Sequence, residues 1–369
     1  MLHWMIKTLW HQKLSVLSSA SGVAAAFVLV IILDAAFVGE SNQIVAYIRN
    51  MNPSVWVMQK GVSNMHMATT FVWDWKVNRI AQLPGVQRAT PILYVNTVVK
   101  AGGRNWFAYV VGLQSDSSRA GPWAMASGRA VPDSGEIVLP AQLAELAGVQ
   151  LGDYATIADQ QFTIVGLSQH TFSMANSIAF VSFSDLEDLL STSGTVSFIL
   201  VDADQGQASD ELAERIESSV DKVSAIPQKQ FIENDFQIAL LMGVEVISFM
   251  TIIGSVLAGL IVAFSVYTQV ARRRRELAIS KALGFRNYSV YIAIVMQSLV
   301  VTGVALVIAY LAVSALVPII SAVAPIVTLD VTTNALLRVA AIAFVIAVIA
   351  GLIPAYLVAR VDPMTAFKI

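Results

Sequence analysis

Cysteine is absent from the 369 residues, histidine occurs four times, and Asp, Glu, Lys and Arg together make up only 13% of the chain. The lack of cysteine excludes disulfides, thiol catalysis and a lipoprotein-type acylated N-terminus. It suits an extracytoplasmic domain that folds without oxidative help. Soluble proteins carry about 25% charged residues, so roughly half the expected charge is missing. Hydrophobic residues reach 56%, with a mean hydropathy of +0.68. A soluble domain of this size cannot hide that much apolar surface, because most of its own surface stays wet. The same composition excludes disorder, collagen and coiled-coil rods.

The apolar residues gather in four stretches almost free of charge: Leu14–Leu33, Val246–Ala271, Asn287–Leu329 and Val339–Ala359. Each holds a helix of about 20 residues, enough to cross roughly 30 Å of hydrocarbon. The first run is longer than the apolar segment of a signal peptide and is read as a retained span. Between the first and second runs, Gly39–Gln237 carries 20 acidic and 12 basic residues, a net of −8, against +6 for the rest. Lys7 and Lys13 precede the first run, Arg272–Arg275, Lys281 and Arg286 separate the second from the third, and Arg360 and Lys368 follow the fourth. This bias in the short segments puts both termini and the arginine-rich loop in the cytoplasm and the large acidic region outside.

The expected fold is an α-helical membrane protein with four transmembrane helices and a large mixed α/β extracytoplasmic domain inserted between helices 1 and 2. The expected segments are a cytoplasmic interfacial helix (1–13), transmembrane helices (14–38, 236–271, 290–317, 337–357) and an extracytoplasmic domain (39–235). A cytoplasmic coupling helix (272–289), a short extracytoplasmic link (318–336) and a cytoplasmic tail (358–369) complete the chain. Leu2, Met5, Ile6, Leu9 and Trp10 share one helical side, which suits a helix on the inner membrane face. A plain extension of the first span is the other reading.

Within the outer region, Ser54–Met58, Ile92–Val99, Asn105–Gly112, Gly135–Pro140, Tyr154–Ile157, Gln161–Leu167 and Val196–Val201 read as strands. Val77–Leu83, Ala141–Ala147 and Ala208–Val220 read as helices. His66 and His170 lack metal-ligand spacing and are expected to be surface or core polar residues. Ser168, His170 and Asp185 have the ingredients of a hydrolytic triad without a nucleophile-elbow pattern. Trp56, Trp73, Trp75, Phe107 and Trp123 are read first as packed core, with contact to a partner or apolar ligand as the alternative. Asp34 falls near the outer end of the first span and is expected to reach water.

In the second span, Glu245 is read as an interfacial residue or as a carboxylate at the mouth of an intersubunit cavity. Gly254 and Ala258 form a small-xxx-small pair that permits close helix approach. The third span is expected to end at Pro318, and Pro354 to bend the exit of the fourth.

The densest chemistry lies at Arg272–Phe285. Four arginines at a membrane exit are explained by topology and anionic lipid alone. The continuation, with Leu277, Lys281 and a stop at Gly284, reads as a short helix whose Leu277, Ile279 and Leu283 need a packing surface. Such a helix is built to receive force from a soluble partner. Arg273, Arg274, Arg275, Glu276, Lys281, Leu283 and Gly284 resemble the "RRREIGILKALG"-type stretch of an ABC-transporter permease family. That family includes the macrolide exporter, the lipoprotein-releasing permeases and the cell-division permease that controls peptidoglycan hydrolysis. Leu277, Ala278 and Ser280 depart from its usual residues. The tail from Pro354 to Phe367, with Asp362 and Pro363, resembles the family's closing pattern. Gly135–Leu139, Leu151–Asp153 and Phe162–Gly166 resemble its extracytoplasmic domain.

The resemblance implies a non-catalytic subunit of an exporter or mechanotransmission complex in the bacterial inner membrane. The implied partners are a second permease copy, a separate ABC ATPase that binds ATP and Mg, the bilayer, and a periplasmic adaptor or effector as an optional addition. No cofactor in this chain and no nucleic-acid partner are expected. The chain has no G-x-x-x-x-G-K-[S/T] loop, so ATP hydrolysis belongs to the other subunit. A membrane-anchored extracytoplasmic sensor or scaffold without transport activity is the alternative.

Overall fold

The computed structural model describes residues 13–114, 118–173, 177–239, 245–272, 279, 287–324 and 326–359. In chain order the elements are α1 (Lys13–Ile44), α2 (Ala46–Met51), β1 (Val55–Gln59), β2 (Val72–Trp73), α3 (Trp75–Ala81), β3 (Val86–Ala101), β4 (Arg104–Leu113), β5 (Met125–Gly128), β6 (Glu136–Pro140) and α4 (Ala141–Ala147). They continue as β7 (Tyr154–Ile157), β8 (Gln160–Ser168), β9 (Ile178–Ser182), α5 (Phe183–Leu190), β10 (Thr195–Val196), β11 (Phe198–Ala203), α6 (Ser209–Ser219) and β12 (Val223–Pro227). The last four are α7 (Gln228–Ala239), α8 (Glu245–Arg272), α9 (Asn287–Val323) and α10 (Thr333–Ala359). The chain forms two compact units. One holds Met1–Gly39, Glu245–Ala324 and Leu329–Ile369; the other holds Glu40–Val244 with Pro325–Thr328.

Among the described residues, four helices are long and apolar enough to cross a membrane, with spans Leu17–Ile44, Ser248–Arg272, Tyr291–Val323 and Thr333–Leu352. The interior of the helical unit is made chiefly of small side chains. Ala20, Val23, Ala24, Phe27 and Val30 of α1 meet Ala258, Val262 and Val266 of α8, Val301, Ala305 and Ala309 of α9, and Val339 and Ala343 of α10. Small residues let backbones approach, which is how helices gain contact in lipid. The larger side chains lie outside, as with Phe249, Leu260, Phe264 and Leu311. Helix α9 continues through Pro318 to Val323 rather than ending there. Proline removes one amide bond, but in an apolar solvent a helix is still what satisfies the remaining backbone groups.

The other unit is built on a ten-stranded sheet in the order β12-β1-β11-β3-β4-β9-β6-β8-β5, with β7 alongside β3 and β8. Pairs β4–β9 and β6–β8 are parallel and the rest antiparallel. Strand β3 joins the two halves: its first part pairs with β11 and its second with β4. The core of one half centres on Trp56, stacked on Phe231 at 4.9 Å and edge-on to Phe198 at 6.0 Å. Trp56 Nε1 donates to Gln228 Oε1 at 2.6 Å, so the indole is buried with its polar group satisfied.

The five aromatics grouped by sequence therefore separate. Trp56 is fully buried and Trp123 packs against the same core, whereas Trp73, Trp75 and Phe107 are exposed. The segment 236–271, expected as the second transmembrane helix, begins inside the α/β unit. Phe236–Ala239 belong to α7, whose Phe231 and Asp235 are buried, and α8 is described from Glu245.

The β3–β4 hairpin turns at Gly102 and Gly103, with φ of 58° and 72°. A Cβ on Gly102 would lie 1.7 Å from the Ala147 carbonyl oxygen, whereas one on Gly103 would meet nothing within 4 Å. Gly103→Ala therefore carries only the backbone penalty, about 1 kcal/mol. Gly102→Ala adds a backbone clash and is expected to cost at least about 2 kcal/mol more. Thermal unfolding of the two variants in detergent measures the difference; equal midpoints would contradict the packing of Gly102 on Ala147.

Candidate transmission site

The arginine-rich loop singled out by sequence falls mostly outside the described residues. Arg273, Arg274, Arg275, Glu276, Leu277, Lys281, Leu283 and Gly284 belong there, as do Asp362 and Pro363 of the tail. Within the loop, Ile279 is helical and exposed. The helices that enter and leave the loop are described. Helix α8 delivers the chain to Arg272 and α9 takes it up at Asn287.

One turn before the end of α8, Gln269 is buried and accepts a hydrogen bond at 2.7 Å from Gln297 Nε2, also buried, on α9. The neighbouring Ser298 donates at 2.7 Å to the Ala347 carbonyl of α10. Beside it, Gly351 of α10 comes so close to α9 that a Cβ would sit 3.1 Å from Val295 Cα. Farther along α10, Arg338 Nη2 donates to Asp34 Oδ2 of α1 at 3.2 Å. The Asp330 amide donates to the Ala35 carbonyl at 3.1 Å. Asp34 is thus buried against a guanidinium rather than open to water. A carboxylate in an apolar bundle needs a partner, and Arg338 is long enough to supply one.

Gly254 and Ala258 sit on the face of α8 that meets α1. A Cβ on Gly254 would touch Val30 and Leu33 at 3.5 Å, and Ala258 is fully buried. Glu245 is the first residue of α8, and its side chain lies outside the described residues. Sequence reasoning did not single out Gln269, Gln297, Ser298 or Arg338. The available signal was an amide within each of two apolar runs.

In the α/β unit, Asp235 of α7 is fully buried. Its Oδ1 accepts the backbone amides of Met65 at 2.8 Å and His66 at 3.2 Å, and its Oδ2 bonds to His66 Nδ1. His66 meets Tyr109 edge-on at 4.8 Å, and Tyr109 stacks on Tyr94 at 5.5 Å. His66 is thus a partnered core residue, and His170 is exposed. Burial, and then the Asp235 carboxylate, push the Tyr109 phenol up to about 12. Tyr94 is raised by burial first and by Tyr109, Asp235 and Tyr47 after it.

The triad ingredients are engaged separately. Ser168 Oγ bonds to Thr171 and the Leu139 carbonyl, while Asp185 accepts from Ser134 and the Gly135 amide. Among the described residues, no group of three or more His, Cys, Asp or Glu is placed to hold a metal ion.

Residues 14–219 match the MacB-like periplasmic core domain, and residues 248–363 match the FtsX-like permease C-terminal domain. An uncharacterized ABC transporter permease of Mycobacterium bovis is 23% identical over 362 residues, covering 97% of this chain and 96% of its own. A second such permease, from Mycobacterium tuberculosis, is 24% identical over 321 residues, covering 86% of this chain and 85% of its own. The crystal structure of the periplasmic region of MacB from Actinobacillus actinomycetemcomitans aligns with 52% of this chain and 98% of its own. Its TM-score is 0.39 at 15% identity. The extracellular domain of the ABC-type transporter YknZ from Gram-positive bacteria aligns with 47% and 100%, with a TM-score of 0.35 at 13% identity.

Two outcomes are expected from these contacts. Gln269→Leu or Gln297→Leu removes the bond between the two helices, leaves a buried amide without that partner and lowers stability by about 1–2 kcal/mol. The double Leu variant removes both amides and recovers most of the loss, which thermal unfolding in detergent reads directly. At alkaline pH, the folded state holds the Tyr109 proton after the unfolded chain has lost its own. Stability from this group is full below pH of about 10 and is lost as pH rises through about 12. Tyr109→Phe should flatten that alkaline loss in melting curves recorded across this window.

Proposed function

This chain belongs to the MacB/FtsX-like permease family of ABC transporters, and on that premise we propose that it is the membrane subunit that carries force from a separate ABC ATPase to its extracytoplasmic domain. The observation that carries the reading is the buried Gln269–Gln297 bond. It joins the two helices that enter and leave the arginine-rich loop, so a displacement of the loop moves both together. The loop, with Arg273, Arg274, Arg275, Glu276, Leu277, Lys281, Leu283 and Gly284, is the coupling helix. The tail around Asp362 and Pro363 is a second contact. ATP and Mg bind the partner subunit, and ATP-driven closure of two such subunits acts on a permease dimer.

Both termini and the coupling loop face the cytoplasm of a bacterial inner membrane, and the domain lies outside. The orientation rests on the basic residues of the short segments. Because the loop's Leu277 and Leu283 need an apolar seat and its arginines a charged rim, the contact combines packing with attraction. The chain contributes movement and no chemistry.

Purification of the full chain with its ATPase, followed by ATPase assays in lipid nanodiscs, tests the reading. Leu283→Ala and Glu276→Ala are expected to reduce stimulation of hydrolysis by about tenfold or more, a loss of about 1.4 kcal/mol in coupling. Unchanged assembly and unchanged stimulation in both variants would remove these residues from the coupling role. Failure of any ATPase to co-purify would favour a sensor or scaffold.

A further inference from the structure

Strand β3 is covered by β4 along one edge from Leu93 to Ala101. Its other edge is covered only in part. Strand β11 pairs with Val86–Ile92 and β7 with Val99 and Lys100. Between them, the Tyr94 amide donates to Ser197 Oγ at 3.0 Å, and that hydroxyl donates to the Tyr94 carbonyl at 3.2 Å. Among the described residues, no strand lies against residues 95–98 on this edge. Peptide groups along a strand alternate sides. Because those of Tyr94 turn toward Ser197, those of Asn96 and Val98 turn toward the same open side.

A cavity of about 470 Å³ opens here, lined by Asn96, Val98, Lys100, Phe107 and Asp159 among others. Phe107 stands opposite Val98 in the β3–β4 ladder and is 80% exposed, more than any other large apolar side chain described in this unit. The gap thus combines backbone groups of two alternate residues with an apolar side chain that no described residue covers.

We propose that this gap receives an extended segment of a partner protein, which adds a short strand beside Asn96 and Val98 and lays an apolar side chain over Val98 and Phe107. Donors and acceptors at alternate residues of a strand edge are matched by another extended backbone, and the flanking pocket selects the side chain. A second copy of this chain fits poorly. The edge is recessed between β11 and β7, so two identical gaps cannot reach each other. The four open residues, roughly 13 Å of strand, bury far less than the roughly 800 Å² per partner that a stable dimer needs. The mouth carries one charge of each sign, Lys100 and Asp159 at 4.0 Å. Charge therefore selects weakly, and binding should change little with salt.

The test uses the full chain in lipid nanodiscs and an acetylated, amidated Thr-Val-Thr-Val-Thr peptide at about 1 mM. Hydrogen exchange of the segment holding residues 94–100 is expected to slow by about tenfold, with little change between low and high salt. The same peptide methylated at alternate backbone nitrogens should give no protection. Phe107→Ser should abolish most of the effect, and Trp73→Ser, at a remote exposed aromatic, should leave it intact. Absence of protection with the unmodified peptide overturns the proposal. Equal protection by the methylated peptide, or equal loss in both variants, overturns it as well. Protection that rises with protein concentration and without peptide assigns the edge to a second copy and also overturns it.

Discussion

An amide or carboxylate inside a bilayer has no water to turn to, and a group left alone there costs several kcal/mol. The helical unit meets this constraint with side-chain bonds spread over its four helices. Gln269 with Gln297 joins α8 to α9, Ser298 with Ala347 joins α9 to α10, and Asp34 with Arg338 joins α1 to α10. Each bond names one neighbour and one height, which an interior of alanine and valine alone would not do. Small side chains give close approach but little register, because one methyl-lined groove resembles the next. The polar pairs supply that register, so the order of the helices depends on them.

The α/β unit solves the same problem with a different solvent at hand. Its charges lie mainly on surfaces, and its fully buried carboxylate, Asp235, is held by several bonds at once. Asp235 accepts from two backbone amides and from the His66 ring, so one carboxylate fixes a whole loop turn. Burial first, and then its negative charge, raise the neighbouring phenols above the ordinary tyrosine range. Around that cluster the packing is aromatic, with Trp56, Phe198 and Phe231 in mutual contact.

The four apolar helices were legible because length and charge depletion are properties of composition, and the bilayer admits few other solutions. Strands such as Gly135–Pro140 and the helix Ala141–Ala147 were legible from turn residues on either side. Strand β9 was not. Ile178–Ser182 is buried at every position between β4 and β6, so it shows no alternation to read. The partners of polar residues were also hidden. Asp34 and Arg338 are 304 residues apart, and His66 and Asp235 are 169 apart. Nothing in local spacing joins such pairs; only the folded topology does. Exposed Trp73 and Phe107 were misread as core for a related reason, since an aromatic run looks the same whichever side of the sheet it faces.

The way the chain enters and leaves the α/β unit bears on how movement would pass along it. Helix α2 follows α1 directly, and α7 comes just before α8. Inside the unit, Gln228 at the start of α7 donates to the Ile48 carbonyl of α2 at 2.8 Å and accepts from Trp56 Nε1 at 2.6 Å. The two strands of chain that connect to the membrane helices are therefore bonded to each other and to the main aromatic core through one side chain. Phe231 and Asp235, one and two turns further on the same side of α7, are fully buried. A helix anchored at three successive turns does not slide along its axis without disturbing Trp56 and the Met65–His66 loop. Displacement of α7 is therefore carried by the α/β unit as a body rather than absorbed within it.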